Sequence, residues 1–147
     1  MPTFTSSPTV SNDKYSMLLS AELTDGMHHA YVGDHVSSCL VVDLETSRVI
    51  MESPSSGGIP CMSSQDGILH CGTTLGELVV RDSRTLRVQK SIKAHSAVAQ
   101  LSVQGHYVAS CGYVSDSQGN LQQDPFVKVF DMRNSQMLSS FKVHSGV

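Results

Sequence analysis

Seven histidines and four cysteines supply enough donor atoms for a metal site or a thiol nucleophile, if the spacing brings them together. The segment HHAYVGDH holds His28, His29 and His35, and His70 directly precedes Cys71. Zinc sites use ligands at close, turn-defined spacing such as C-x2–4-C. No two of Cys39, Cys61, Cys71 and Cys111 stand in that relation. A cysteine nucleophile needs an adjacent base, but consecutive strand residues point to opposite faces, so His70 cannot serve Cys71. Cys71 and Cys111 each precede a glycine in corresponding stretches, HCGT and SCGY, which reads them as small buried packing residues. Asp43, Asp82 and Asp131 each close an apolar run, where aspartate bonds the backbone of a turn rather than acting in a carboxylate pair. Gly57-Gly58 lacks the Lys-Ser/Thr and the helix of a phosphate loop. These residues predict no catalytic set and no metal or cofactor site in this chain.

Bulk properties agree. A net charge of −3 provides no basic field for gripping nucleic acid. No apolar run approaches the ~20 residues of a membrane helix. The start, MPTFTSSPTV, has neither a basic n-region nor an apolar h-region. The expectation is an intracellular protein with reduced thiols.

The elements that position these residues emerge from punctuation. Residues 1–13 are rich in Ser, Thr and Pro and read as a disordered lead-in. From Lys14 onward, apolar runs of about five residues alternate with Asp-Gly, Gly-His or polar pairs, as in an antiparallel meander. Gly33, Gly72 and Gly112 stand 39 and 40 residues apart. Gly26, Gly67 and Gly105 stand 41 and 38 apart, at turns ahead of them. Asp43 and Asp82 each follow their glycine by 10 residues, and Asp131 follows by 19. The nine extra positions fall in the polar tract SDSQGNLQQD. After each aspartate the text also repeats, as DLETSRVI, DSRTLRVQ and DMRNSQML. Three markers in phase define a ~39-residue unit of four strands, the blade of a β-propeller. The predicted fold is all-β, with three blades over about 14–53, 58–96 and 97–146. Consecutive apolar residues such as the LVV of both early units require cover on both faces, which stacked blades supply. A β-sandwich carrying a small enzyme also uses short strands, but has no reason for this period.

CGTTLGELVVRD, Cys71 to Asp82, resembles the Gly-Ser…Trp-Asp stretch of WD-repeat propellers. In that family a His before strand a, a Ser or Thr in strand b, an Asp in the b–c turn and a strand-c Trp form a hydrogen-bonded set. The match is partial. His95 and His144 correspond to the Gly-His position, but Val42, Arg81 and Phe130 precede the terminal aspartates, and the chain has no tryptophan. Val36 and Leu75 replace the b–c aspartate in the first two units. The resemblance therefore implies blades that lack the polar network and rely on packing.

The run from Tyr15 to Phe141, with HCGTTLGELVVRDSRTLRV, VQGHYVASCGY, the polar insert and DPFVKVFDMR, resembles the N-terminal propeller of the catalytic subunit of the poly(A)-nuclease deadenylation complex. Members of that family shorten poly(A) tails of messenger RNA through a magnesium-dependent nuclease domain far downstream, which is absent here. The resemblance implies a non-catalytic interaction scaffold and a fragment of such a subunit. It implies cytoplasmic or P-body location, the regulatory subunit of the complex as partner, and messenger RNA coated with poly(A)-binding protein. A WD-type scaffold of an unrelated assembly is the alternative. The insert, with Ser115, Asp116, Gln118, Asn120, Gln122, Gln123 and Asp124, is the candidate partner loop, set on the same rim as His95 and His144. Roughly seven blades close a ring, so three should leave apolar faces and unpaired edges exposed.

Overall fold

The structure, a computed structural model, describes residues 17–24, 26 and 28–144, so the lead-in over 1–13 lies outside the described residues. Among these residues there is no helix, and none is long and apolar enough to cross a membrane. Thirteen strands form three antiparallel sheets. The first holds β1 (Leu18–Leu23), β2 (His29–Asp34), β3 (Ser38–Asp43) and β4 (Arg48–Pro54), in that order. The second repeats it with β5 (Cys61–Gln65), β6 (Ile68–Gly72), β7 (Glu77–Asp82) and β8 (Val88–Lys93). The third holds β9 (Ala97–Gln104), β10 (Tyr107–Ser115), β11 (Leu121–Gln123), β12 (Phe126–Asp131) and β13 (Gln136–Lys142). Here β10 lies between β9 and β12, and β11 pairs with its far end. The sheets stack like propeller blades, with the first strands innermost: β1 meets β5, and β5 meets β9.

Each unit turns from its third strand to its fourth by the same device. Asp43 Oδ1 accepts the Glu45 and Thr46 amides at 2.8 and 3.2 Å, and Asp82 Oδ1 accepts those of Arg84 and Thr85 at the same distances. Asp131 accepts the Arg133 amide at 3.0 Å and the Arg133 guanidinium as well. The Glu45 and Arg84 amides hold Asp43 and Asp82 below the usual carboxylate range, and the Arg133 side chain does so for Asp131. Ser47, Leu86 and Ser135 complete these turns with positive φ.

Two apolar interfaces join the sheets. Tyr31, Cys39 and Val41 of the first sheet pack on Leu69, Cys71, Val79 and Leu86 of the second unit. Leu78 and Val80, on the second sheet's opposite face, pack on Val98, Val108, Phe130 and Met132 of the third unit. The far face of the first sheet, Ala30, Val32, Leu40 and Val42, is buried. The outward face of the third sheet is open: Val127 and Val129 are half-buried and Phe141 is 58% exposed. An uncovered apolar face thus exists at the third-sheet end of the stack.

Backbone approach explains two of the marker glycines. A Cβ at Gly33 would lie 2.6 Å from Ile59 Cβ, and one at Gly72 would lie 2.5 Å from Val98 Cγ1. In both, the second strand of one sheet passes the residue that leads into or opens the first strand of the next. Gly112 differs, because its Cβ would meet Ala97 O of its own sheet, beside a register shift at Cys111/Gly112. Strand pairing supplies the true register: His29, Ile68 and Tyr107 stand opposite Asp43, Asp82 and Asp131. Gly112 is therefore one residue out of phase. Cys71 corresponds to Ser110 rather than to Cys111, which corrects the equivalence expected from HCGT and SCGY. Cys71 is buried in the first interface, whereas Cys111 is half-buried.

Gly33→Ala should lower the unfolding free energy by about 1–3 kcal/mol, the cost of overpacking a filled site. Ser140→Ala, on the exposed edge strand, should stay within about 0.5 kcal/mol of the parent chain. Urea midpoints with an unchanged m-value check both.

Candidate functional site

The polar insert is a second, short hairpin grafted on the third sheet. β10 runs two residues past its last pair with β9, Tyr113 opposite Ala97, and pairs Tyr113, Val114 and Ser115 with Gln123, Gln122 and Leu121. Asp116 closes the turn. Its Oδ1 accepts the Gln118 and Asn120 amides at 2.8 and 2.9 Å, its Oδ2 accepts Gln122 Nε2 at 3.1 Å, and Gly119 provides φ +82°. The Asn120 and Gln118 amides hold its carboxyl below the usual range. Ser115, Gln118, Asn120, Leu121, Gln122 and Gln123 are exposed along this hairpin, and Asp116 is half-buried in its own turn. Sequence reasoning located the insert but read it as a loop, because LQQ carries no strand signature of its own.

Asp124 does not belong to that surface. It is 6% exposed and turned inward, where its Oδ2 lies 2.8 Å from His95 Nδ1 and 3.6 Å from Lys128 Nζ. Its Oδ1 accepts the Phe126 amide at 3.0 Å. His95 Nε2 lies 2.9 Å from Ser110 Oγ. Burial pushes the Asp124 carboxyl up, but the Phe126 amide, His95 and Lys128 outweigh it and hold it below the usual carboxylate range. Against an ionised carboxylate Nδ1 carries the proton, and in the neutral ring Nε2 accepts from the Ser110 hydroxyl. The third unit therefore keeps the polar network that the sequence was expected to lack. The missed signal is a count: Val36, Leu75 and Asp124 each stand seven residues before a terminal aspartate, and only the nine-residue insert disguised the third.

The network also ties the rim together. His95 precedes β9 and Asp124 precedes β12, and Ser115 N donates to Ser96 Oγ at 3.0 Å. His144 is exposed; the preceding Val143 N donates to Pro125 O at 2.9 Å, so it lies at the same end.

The three residues at the tryptophan position are all buried: Val42, Arg81 and Phe130. Arg81 clamps two sheets, with Nη1 donating to Ser53 Oγ at 2.9 Å and Leu86 O at 2.8 Å, and Nη2 to Pro54 O at 3.0 Å. Its side chain answers the packing need of that position with hydrogen bonds to neutral acceptors. Among the described residues no three His, Cys, Asp or Glu side chains could hold a metal ion. His28 makes an exposed pair with Glu45 at 3.8 Å.

Asp124→Ala removes one partner of a buried charge network and should cost about 3–5 kcal/mol. Asp116→Ala, in the hairpin turn, should lower the urea midpoint by less than Asp124→Ala does. The folded-state Asp124 carboxyl titrates below its unfolded value. Its stabilisation is therefore complete above about pH 4 and fades as pH falls through the folded value. Asp124→Asn should flatten the acid limb of stability against pH, read by urea midpoints between about pH 2 and 6.

Comparison with known proteins fits this geometry. The family model described as "PAN2 N-terminal" matches residues 10–147. The human PAN2-PAN3 deadenylation complex catalytic subunit PAN2 is 31% identical over 137 residues, covering 90% of this chain and 11% of the relative. The Schizosaccharomyces pombe catalytic subunit pan2 is 32% identical over 108 residues, 73% of this chain and 10% of the relative. The chain thus spans about a tenth of the length of these relatives. Among solved structures, the Neurospora crassa Pan2 WD40 domain superposes with TM-score 0.68 at 22% identity, over 85% of this chain and 40% of that one. The RRP9 WD40 repeats superpose with TM-score 0.75 at 15% identity, over 94% of this chain and 42% of theirs. At these identities the superpositions speak for the fold, a partial WD40 propeller. The match along residues 10–147 speaks for descent, and the chain belongs to the PAN2 N-terminal family.

Proposed function

We propose that the chain is a non-catalytic interaction scaffold, the opening part of the propeller of a deadenylation-complex catalytic subunit. The family match over residues 10–147 carries this reading. The relatives bear the name of the PAN2-PAN3 complex, so the partner assigned to this chain is a PAN3-type regulatory subunit. Messenger RNA coated with poly(A)-binding protein is the target reached through the assembled complex, in the cytoplasm and its P-bodies. The chain needs no cofactor of its own; magnesium serves the nuclease domain that lies elsewhere in the relatives. The exposed hairpin over 115–123 is the contact assigned to a partner, because a short strand pair on a rigid sheet presents side chains without a large ordering cost.

The full chain, tagged, should retain a PAN3-type regulatory subunit from a mixture of purified proteins. Replacing residues 117–122 by a Gly-Ser turn should weaken retention at least tenfold while keeping a cooperative urea transition whose midpoint falls no further than that of Asp116→Ala. No retention by the unaltered chain would refute the assignment and favour a WD-type scaffold of another assembly.

A further inference from the structure

The two sheet interfaces differ at one pair of corresponding positions. In the first, the Tyr31 hydroxyl crosses the gap and donates to Ser83 O, one residue past Asp82, at 2.8 Å. Tyr31 stands opposite Val41, and His70 stands opposite Val80, so His70 occupies the tyrosine's place on the second sheet. Met132, one residue past Asp131, occupies the place of Ser83. Met51 is paired with Val41, and Lys90 with Val80, so a lysine stands where the first sheet packs a methionine into its core. An apolar pair with one phenol hydroxyl is thus replaced by an imidazole and an ammonium.

An imidazole is shorter than a phenol. Where Tyr31 fills its interface, His70 faces a cavity of about 140 Å³ whose walls include Val80, Lys90, His106, Met132 and Arg133. His70 is 5% exposed, and its Nδ1 has no hydrogen-bond partner. A buried imidazole with an unpaired nitrogen, itself lining a cavity, is uncommon and points to a group that completes its hydrogen bonding. Burial pushes the imidazole below its ordinary range, leaving it neutral near neutral pH with one N–H to donate.

Lys90 and Arg133 bring positive charge to the cavity with donors to spare, beside Gln89 and His106. Lys90 Nζ donates to Met132 O at 2.8 Å and to Arg133 O at 2.6 Å, which uses two of its three hydrogens. Arg133 spends Nε and Nη2 on Asp131 and keeps Nη1. No aspartate or glutamate lines the cavity. A space of about 150 Å³ holds a benzene-sized ligand, so a small organic acid fits and a nucleotide does not.

We propose that this cavity between the second and third sheets binds a small carboxylate, whose oxygens accept from His70, Lys90 and Arg133. Planar carboxylates suit a guanidinium and a single imidazole N–H, and burial between two sheets strengthens such charge-assisted bonds. The proposal does not depend on the partner assigned above.

The full chain should respond to succinate at constant ionic strength with a saturable rise in melting temperature and a shift of the His70 ring nitrogens in ¹H–¹⁵N spectra. Chloride and inorganic phosphate should produce neither. His70→Tyr places a phenol in the space, as Tyr31 does in the first interface. It should fold with a higher melting temperature and lose the response. Arg133→Gln, on a half-exposed side chain, should fold and weaken the response at least tenfold. Absence of a saturable response, an equal response to chloride or phosphate, or a response that survives in both variants would overturn the proposal and leave a water-filled cavity.

Discussion

Leu78, Val79 and Val80 are consecutive in one strand, so their side chains alternate between faces, yet all three are buried. Leu40, Val41 and Val42 do the same in the first sheet. A strand with no wet face cannot stand alone, because one side of its sheet would always meet water. Each sheet here therefore needs a neighbour on either side, and the stack follows from that need. The first strands crowd inward, where Gly33 and Gly72 allow backbone to pass next to the following sheet. The fourth strands of the first two sheets, outermost, alternate exposed and half-buried residues as a single-sided strand should.

Against this shared packing, the polar side chains vary by interface. The first is closed by Tyr31 and clamped by Arg81, which takes the place of an aromatic residue and converts it into hydrogen bonds with β4. The second holds Lys90, which ties β8 to the turn after β12, and His70, which leaves space unfilled. The third unit adds the buried His95–Asp124–Ser110 set, which fixes the rim from which the hairpin projects. Repetition supplies the scaffold; single substitutions at corresponding positions supply whatever is particular about each junction.

Much of the fold was legible in the residues. IPCMSSQ, ILHCGTT, ELVVRD and RVQKSIK bracket the four strands of the second sheet, because turn chemistry and burial on both faces leave strong local marks. The same logic failed where a feature depends on register. HCGT and SCGY look equivalent, but Tyr107 stands opposite Asp131 as Ile68 stands opposite Asp82, so Ser110 takes the place of Cys71 and Cys111 falls on the other face. Asp124 reads as the last polar residue of a loop, though its carboxylate is among the most protected in the molecule.

The sequence by itself determined the period, the strands and the family, since each rests on local patterns of apolar residues, glycines and turn aspartates. Only the tertiary structure decided which polar residues meet. His95 finds Asp124 across 29 residues, Tyr31 finds Ser83 across 52, and His70 finds no partner for its Nδ1. Such meetings depend on which face a side chain occupies and how far it reaches across an interface. A one-residue offset between strands or the difference between a phenol and an imidazole alters both, and the sequence does not show which neighbour either one brings within reach.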